Sequence, residues 1–255
     1  MKTITSEQNP IIKDFVKKLK KPKQLKSYFA ETKKIFWEAI NSGLKPEAIF
    51  LTEHSLAEQL IEYDSNIYLV TKKIMSLLSD LSSPNQMLAV FEPPNLPSLK
   101  TFLREKKVSP LVIMDRLQDP GNAGTIIRSA EALGAKAVIF TENSCSVYNP
   151  KVSRGAMGSN FRLPVYSDIN TEILINLLKE NSYKLLAMDM NGTSIEEANL
   201  PSKAAFFFGQ EGQGLSEEIK KEADMILSIP MTGETESLNV AIAASICLYK
   251  YSIKK

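Results

Sequence analysis

Apolar residues along the chain change their period several times, and each change marks an element. In IIKDFVKKLK (11–20), Ile11, Ile12, Phe15, Val16 and Leu19 fall on one side of a helix whose start is punctuated by Asn9-Pro10. A second helical stretch runs from Phe29 to Ile40, turns Ile35, Phe36, Ala39 and Ile40 inward, and stops at Asn41-Ser42-Gly43. Trp37 within it reads as core rather than as a platform for stacked bases. Short β-type runs then follow at AIFLT (48–52), NIYLVT (66–71) and MLAVFE (87–92), separated by helices over 54–62 and 72–79. Strand and helix alternating in this way predict a small α/β unit over residues 1–92.

The pattern breaks at EPPNLPSLKTFLREKKVSP (92–110), where four prolines bracket a charged stretch, so 93–108 reads as a linker and 109–255 as a second domain. LVIMD (111–115) is then continuously apolar, as expected of a parallel strand covered on both faces. AKAVIF (135–140), YKLLAMD (183–189, with Asn191-Gly192 as its turn), AAFFFG (204–209) and 225–229 read as further strands. The closing stretch, 232–251, brings Glu236, Ser237 and Asn239 to the mouth of a helix that reads as almost wholly buried, with Ala241, Ala243 and Ala244 permitting close packing. A serine cap on a core helix explains that mouth as well as a ligand site does.

Composition narrows the class. A chain of 255 residues, 44% hydrophobic and 24% charged, buries one large core or two modest ones and is not disordered as a whole. Cys145 and Cys247 form no CxxC pair or multi-cysteine framework, which fits a reducing cytoplasm. His54 is the single histidine and opens a polar helix, which argues against a zinc site or a histidine-based triad. MKTITSEQNP lacks the apolar core of a signal peptide, and no apolar run approaches a membrane span.

Charge is uneven. Residues 1–34 carry ten lysines against Glu7, Asp14 and Glu31, a local +7 that leaves −5 for the remainder of a chain whose net charge is +2. A basic arm of this kind, with Lys17, Lys18, Lys20 and Lys21 at its centre, suits contact with a polyanion through its phosphates, although a solvated helix face has the same composition.

Candidate chemistry sits in three turns. RLQDPGNAG follows the strand LVIMD, Asn122 is placed to cap the next helix, and Arg128 lies four residues after Gly124, read as one turn into that helix. Gly121 and Gly124 bring backbone close to a ligand or adopt positive φ. GNAG is not GxGxxG, and no GxxxxGK[ST] occurs, so neither a dinucleotide oxidoreductase nor a nucleotide triphosphatase is supported. In the second turn, GQEGQGLSEE, Gly209, Gly212 and Gly214 surround Glu211, and a helix begins at Ser216. MILSIPMTGETESLN supplies the third. Between the first two, Lys151, Arg154 and Arg162 interleave with Tyr148, Gly155, Gly158 and Phe161, a pattern suited either to a phosphate backbone or to an exposed basic helix side.

With the three turns in this order, the sequence resembles the SpoU/TrmH group of SPOUT methyltransferases, RNA 2′-O-ribose methyltransferases. Asn122, Gly124 and Arg128 match the first family motif. Gly209, Glu211 and Gly214 match the second, and Ile229-Pro230-Met231 with Ser237-Leu238-Asn239-Val240 the third. The resemblance covers residues 111–250 and implies an α/β fold with a C-terminal trefoil-knotted methyltransferase domain and a smaller N-terminal ribosomal-protein-like RNA-binding domain. It implies S-adenosylmethionine as cofactor, a homodimer, and an RNA partner, with no metal and no membrane. Catalytic roles fall to Arg128, Glu211, Ser237 and Asn239, with Glu211 orienting Arg128. Cofactor binding falls to Gly209, Gly214, Ile229, Met231 and Leu238. RNA contacts fall to Lys17, Lys18, Lys20, Lys21, Asn122, Lys151 and Arg154. The family's last motif often ends Ser-Leu-Asn-Val-Ser; Ala241 stands in its final place here and removes one hydroxyl. Large-subunit ribosomal RNA is the implied substrate, with transfer RNA, or a silent RNA-binding protein of the same fold, as alternatives.

Overall fold

The computed structural model of the chain describes residues 1–21, 24, 26–58, 60, 66–79, 81–105 and 109–253. Lys23 of the basic arm, parts of the helix expected over 54–62, and residues 106–108 of the expected linker lie outside them. The described residues form two compact units, one of residues 1–95 and 148–161, the other of 96–147 and 162–255.

In the first unit, β1 (Lys2–Ile4), β4 (Asn66–Val70) and β3 (Pro46–Leu51) run parallel, while β5 (Met87–Phe91) and β2 (Tyr28–Ala30) are antiparallel to their neighbours, in the order β1-β4-β3-β5-β2. Apolar residues occupy both faces of this sheet, so helices must cover both. Ala48, Phe50, Leu88 and Val90 pack under Ile12 and Phe15 of α1 (Pro10–Lys20) and Ile74 and Met75 of α4 (Lys72–Leu77). The alternate set, Ile49, Leu51, Ala89 and Phe91, packs under Ile35, Phe36 and Ala39 of α2 (Lys33–Asn41) and Leu56 of α3 (His54–Glu58). The helix expected from Phe29 begins instead at Lys33. Phe29 and Ala30 are strand residues, and the Thr32 hydroxyl accepts from the Ile35 N–H at 3.2 Å as the helix cap. Trp37 is not core but 39% exposed, because the buried stripe 35, 36, 39 leaves position 37 on the outer side of α2.

The second unit is built on a wholly parallel sheet, β11-β9-β10-β6-β7-β8, comprising β6 (Leu111–Met114), β7 (Ala137–Thr141), β8 (Val165–Ile169), β9 (Lys184–Ser194), β10 (Ala204–Phe208) and β11 (Met225–Ser228). One face, with Leu111, Ile113, Ile139, Leu185 and Phe207, is covered by α5 (Leu99–Leu103), α9 (Thr171–Glu180) and α10 (Glu217–Glu222). Towards the other, Phe206 meets Tyr251 of α11 (Val240–Ile253) edge to face at 5.6 Å. Ser245 of α11 donates to Ser129 of α6 (Pro120–Ala132) at 2.8 Å. Both faces are therefore helix-covered, which is why strands such as LVIM and AAFFF are apolar throughout.

Four expectations change in this unit, the first being the linker over 93–108: the unit begins at Leu96, and Leu99, Phe102 and Leu103 of α5 join its core. The final helix is not wholly buried: Ile242, Ile246, Tyr249 and Ile253 are 52%, 37%, 57% and 57% exposed and form one stripe at helical spacing. Asn191-Gly192 is not a turn but part of β9, which continues to Ser194. Ala187 pairs with Ile226 and Thr193 with Leu227, so residues 188–192 swing out of the pairing and return. Glycine is required at 192 because a Cβ there would lie 2.6 Å from the backbone of Ile226 and Leu227. Lastly, residues 148–161, including α7 (Pro150–Ala156), pack with the first unit: Tyr148 and Phe161 both meet Tyr28, with ring centroids 5.3 and 5.8 Å away.

Gly192→Ala should separate β9 from β11 locally and lower the stability of the protein by about 1–3 kcal/mol. Urea unfolding followed by circular dichroism checks this, with an unchanged midpoint as the contrary result.

Candidate functional site

Parallel pairing puts the carboxyl ends of β6, β10, β9 and β11 at one edge, where open α/β sheets hold ligands. Phe208 is registered with Met114, and the Asp115 N–H donates to Phe208 O at 2.8 Å, so the turns after β6 and β10 leave the sheet side by side.

The first turn enters α6 earlier than the sequence suggested. Asp119, not Asn122, is the cap: its Oδ1 accepts from the Asn122 N–H at 2.7 Å, and Pro120 occupies the first helical position, where its missing N–H costs no bond. Gly121 and Gly124 are consequently helical and have no positive φ. Arg128 lies in the third turn, about 12 Å along the axis from Pro120. Helical side chains lean toward the N-terminus, and the positions beneath it on the same stripe are the small residues Gly121 and Thr125. Arg128 is thus exposed over a low surface leading back to the sheet edge, and among the described residues it has no ion pair.

The second turn is a tight loop. Gln210 and Gly214 bridge, Gly212 and Gly214 take φ of +85° and +67°, and a Cβ on Gly209 would lie 2.1 Å from the Gly214 carbonyl carbon. The third runs exposed from Met231 to Ser237 and ends at Asn239, whose Oδ1 accepts from the N–H of Ala241 at 2.9 Å and so caps α11 in place of Ser237.

These turns converge on three side chains. Asn122 Nδ2 donates to Glu211 Oε1 at 2.5 Å, Asn239 Nδ2 donates to the same oxygen at 3.1 Å, and Asn239 Nδ2 also lies 3.0 Å from Asn122 Oδ1. Glu211 therefore orients two asparagines, rather than the arginine expected from sequence. Ser237 stands apart from this cluster.

Beside the cluster is a cavity of about 470 Å³. Gly209, Glu211, Gly214, Ile229, Met231, Ser237 and Leu238 all line it; Arg128, Asn122 and Asn239 do not. Sequence reasoning missed a fourth wall, Met188, Asp189, Met190 and Asn191 from the excursion of β9, together with Lys220. Its only signal was the polar pair Asp189 and Asn191 at the end of an apolar strand, which reads equally as a turn. Asp189 accepts from the Asn191 N–H at 3.0 Å and pairs with Lys220 at 3.0 Å. The Asn191 N–H, with help from Lys220, holds the Asp189 carboxyl below its ordinary pKa against the opposing effect of burial, and Asp189 in turn raises Lys220. Three carboxylates, Asp189, Glu211 and Glu236, against the one cation Lys220 give the described wall a negative balance.

The predicted RNA contacts divide. In the first unit, Lys17, Lys20 and Lys21 join Lys13 around a concave notch of about 380 Å³ floored by Val16 and Leu77. Lys18 turns aside to Asp14 and Glu47, at 3.1 and 3.4 Å. Lys151 is exposed, but Arg154 is paired with Glu31, a residue only 2% exposed that also accepts from the Ser79 hydroxyl at 2.5 Å. Arg162 belongs to the second unit and grips Glu131 through Nε and a terminal nitrogen at 2.5 and 2.9 Å. Two of the three cations grouped by sequence are thus committed to carboxylates, Arg154 within the first unit and Arg162 within the second.

Among the described residues no helix is long and apolar enough to cross a membrane, and no group of three or more metal-binding side chains occurs. Residues 109–249 match the SpoU rRNA Methylase family. The chain is 31% identical to the 23S rRNA (guanosine(2553)-2′-O)-methyltransferase RlmP of Bacillus subtilis over 98% of both proteins. It is 36% identical to the 23S rRNA (guanosine-2′-O-)-methyltransferase RlmB of Neisseria meningitidis over 54% of this chain and 56% of that one. Among solved structures, an AdoMet-bound rRNA methyltransferase from Sinorhizobium meliloti superposes with a TM-score of 0.84 at 29% identity, covering 99% of this chain and 97% of the other.

Asp189 carries a depressed folded pKa, so its contribution to stability is present at neutral pH and is lost as pH falls through that depressed value. Asp189→Asn should lower the melting temperature at pH 7 by an amount corresponding to about 1 kcal/mol or less, the gap closing toward about pH 3. Thermal unfolding at the two pH values checks the sign; a gap that widens in acid would contradict it.

Proposed function

The chain belongs to the SpoU rRNA methylase family, and from that premise we propose that its second unit transfers a methyl group from S-adenosylmethionine to a ribose 2′-hydroxyl of large-subunit ribosomal RNA. The observation that carries this reading is the convergence of Asn122, Glu211 and Asn239, one from each turn, at the rim of the cavity.

The cavity fits the cofactor. Its volume lies in the range of small-molecule sites. Gly214 leaves bare backbone on the wall that would hold an adenosine, the apolar side chains of Met188, Ile229, Met231 and Leu238 suit a purine, and the excess of carboxylates suits a cationic ligand. When bound, S-adenosylmethionine supplies an electrophilic methyl group on a sulfonium. Everything else falls to the protein.

Methyl transfer requires the 2′-oxygen in line with the methyl group, so holding the nucleotide is the main contribution to rate. Arg128, exposed over the small residues of α6, is suited to grip the phosphate beside the target ribose through its planar fork and to polarise the hydroxyl; a guanidinium has no lone pair with which to take the proton. Glu211 fixes Asn122 and Asn239 in one arrangement and leaves amide groups at the cavity rim to orient the ribose. The unbonded hydroxyl of Ser237 stands on the cavity wall as a contact to either ligand. Ala241 offers no hydroxyl, and its N–H is already taken by Asn239.

In the first unit, the notch ringed by Lys13, Lys17, Lys20 and Lys21 and the exposed Lys151 are the RNA contacts in this reading, while Arg154 braces α7 against Glu31. The exposed stripe Ile242, Ile246, Tyr249 and Ile253 supports a homodimer through α11, since so apolar a helix face is seldom left to water. A knotted path of the C-terminal region accompanies family membership. A reducing cytoplasm suits both the substrate and two cysteines that form no disulfide, with Cys247 buried and its thiol pushed up to about 12 by that burial.

Arg128→Ala should keep the fold and cofactor binding and lose about a hundredfold or more of single-turnover methyl transfer, with little recovery in Arg128→Lys, because a point charge does not reproduce a forked phosphate contact. Single-turnover kinetics at saturating RNA and cofactor, with calorimetry on the same samples, tests this. Near-parental turnover by the alanine variant removes Arg128 from the mechanism.

A further inference from the structure

We propose that Asp115 is a positioning residue for methyl transfer, one that clamps the glycine-rich loop 209–215 into its cofactor-binding shape through the backbone N–H of Ser216. The inference rests on the reading of the cavity as the cofactor site. Asp115 is the first residue after β6, is 1% exposed, and follows four fully buried apolar residues. A carboxylate in such a place is costly unless donors surround it. Its donors come from three parts of the second unit. Oδ2 accepts from the Ser216 N–H at 2.9 Å and from Arg116 Nε at 3.3 Å, and Oδ1 accepts from the Thr141 hydroxyl at 3.2 Å.

Each contact has a local reason. Thr141 ends β7, is fully buried, and its oxygen also accepts from the Arg116 N–H at 3.0 Å. That bond helps to hold Arg116 at φ +54°, a left-handed conformation that a side-chain-bearing residue adopts only at an energetic cost. Gln118 Nε2 secures the same turn by donating to the carbonyls of Arg116 and Asn143 at 2.7 and 2.6 Å. The turn that leads to Asp119 and Asn122 is therefore fixed by the group that fixes the loop carrying Glu211.

The loop itself has few other holds. Glu211 is tied to the two asparagines, Leu215 is buried, and Gln210, Gly212 and Gly214 shape the backbone. Ser216 stands at the N-cap of α10, where its N–H has no acceptor within the helix, and it donates to Asp115 instead. Loss of that acceptor frees the loop at the end where it joins α10, and the cavity wall from Gly209 to Gly214 moves with it. A purely structural carboxylate would instead support the sheet edge and leave cofactor affinity alone.

The test uses the full-length chain and three variants. Asp115→Asn should weaken S-adenosylmethionine binding by about tenfold in calorimetry, as expected for a lost charge-assisted bond, while the KM for RNA stays within about twofold. Thr141→Val should weaken binding in the same direction, and Thr141→Ser, which keeps the hydroxyl, should restore it; this pair decides the matter if the asparagine variant does not fold. Hydrogen exchange provides a readout independent of cofactor: the Ser216 amide should be protected in the parent and exchange faster in Asp115→Asn. Parental cofactor affinity in a folded Asp115→Asn protein, or an unprotected Ser216 amide in the parent, overturns the proposal. A parent that binds no S-adenosylmethionine overturns the reading of the cavity, and the clamp is then judged by exchange alone.

Discussion

Parallel strand pairing is the constraint on which the second unit depends. It sends the chain out of β6, β10, β9 and β11 at one edge, so loops far apart in sequence become neighbours without any contact having to select them individually. Register does the rest. Phe208 opposite Met114 sets the Gly209 loop beside the turn into α6, and the excursion of residues 188–192 from β9 closes the other side of the cavity. The bonds among Asn122, Glu211 and Asn239 then join segments that the sheet has already brought together. Ordering entropy for those side chains is paid largely by the scaffold, which is the physical meaning of a preorganised site.

Charge is distributed on a different principle. The first unit keeps exposed lysines around an open notch, where long side chains would suit the polyanion of the proposed function and salt would screen their pull. Its arginine in α7 is committed instead to a buried glutamate, a use that fits the planar guanidinium. The cavity of the second unit is walled by carboxylates, an unfavourable place for phosphate and a favourable one for a cation. Under the proposed function, two ligands of opposite charge meet walls of opposite charge, each described within its own unit.

Much of this was legible in the sequence, for identifiable reasons. Strands covered on both faces are apolar throughout, so LVIM and AAFFF could be read directly, and each of their polar exits was a site candidate. Eight of the residues named from the motifs line one cavity for that reason. What sequence missed depends in some places on competition between neighbours and in others on tertiary contact. Asp119 outcompetes Asn122 as the cap because Pro120 already fixes the first helical turn, which moves Arg128 from one turn into the helix to its third turn. Asn191-Gly192 has turn composition, yet its glycine is there to let β11 approach β9 closely. Trp37 was misplaced because its size was weighed above its position, which lies off the buried stripe of Ile35, Phe36 and Ala39. Arg154 and Arg162 looked like one basic patch because sequence cannot see Glu31 and Glu131.

Under the proposed function, the cluster at the cavity rim directs methyl transfer to a ribose oxygen rather than to a base. Purified protein incubated with ribosomal RNA and methyl-labelled S-adenosylmethionine, followed by complete alkaline hydrolysis, measures this directly, because a methylated 2′-oxygen can no longer attack the adjacent phosphate. Label is expected in alkali-resistant dinucleotides that yield a ribose-methylated nucleoside. Label recovered in mononucleotides carrying a methylated base would contradict it.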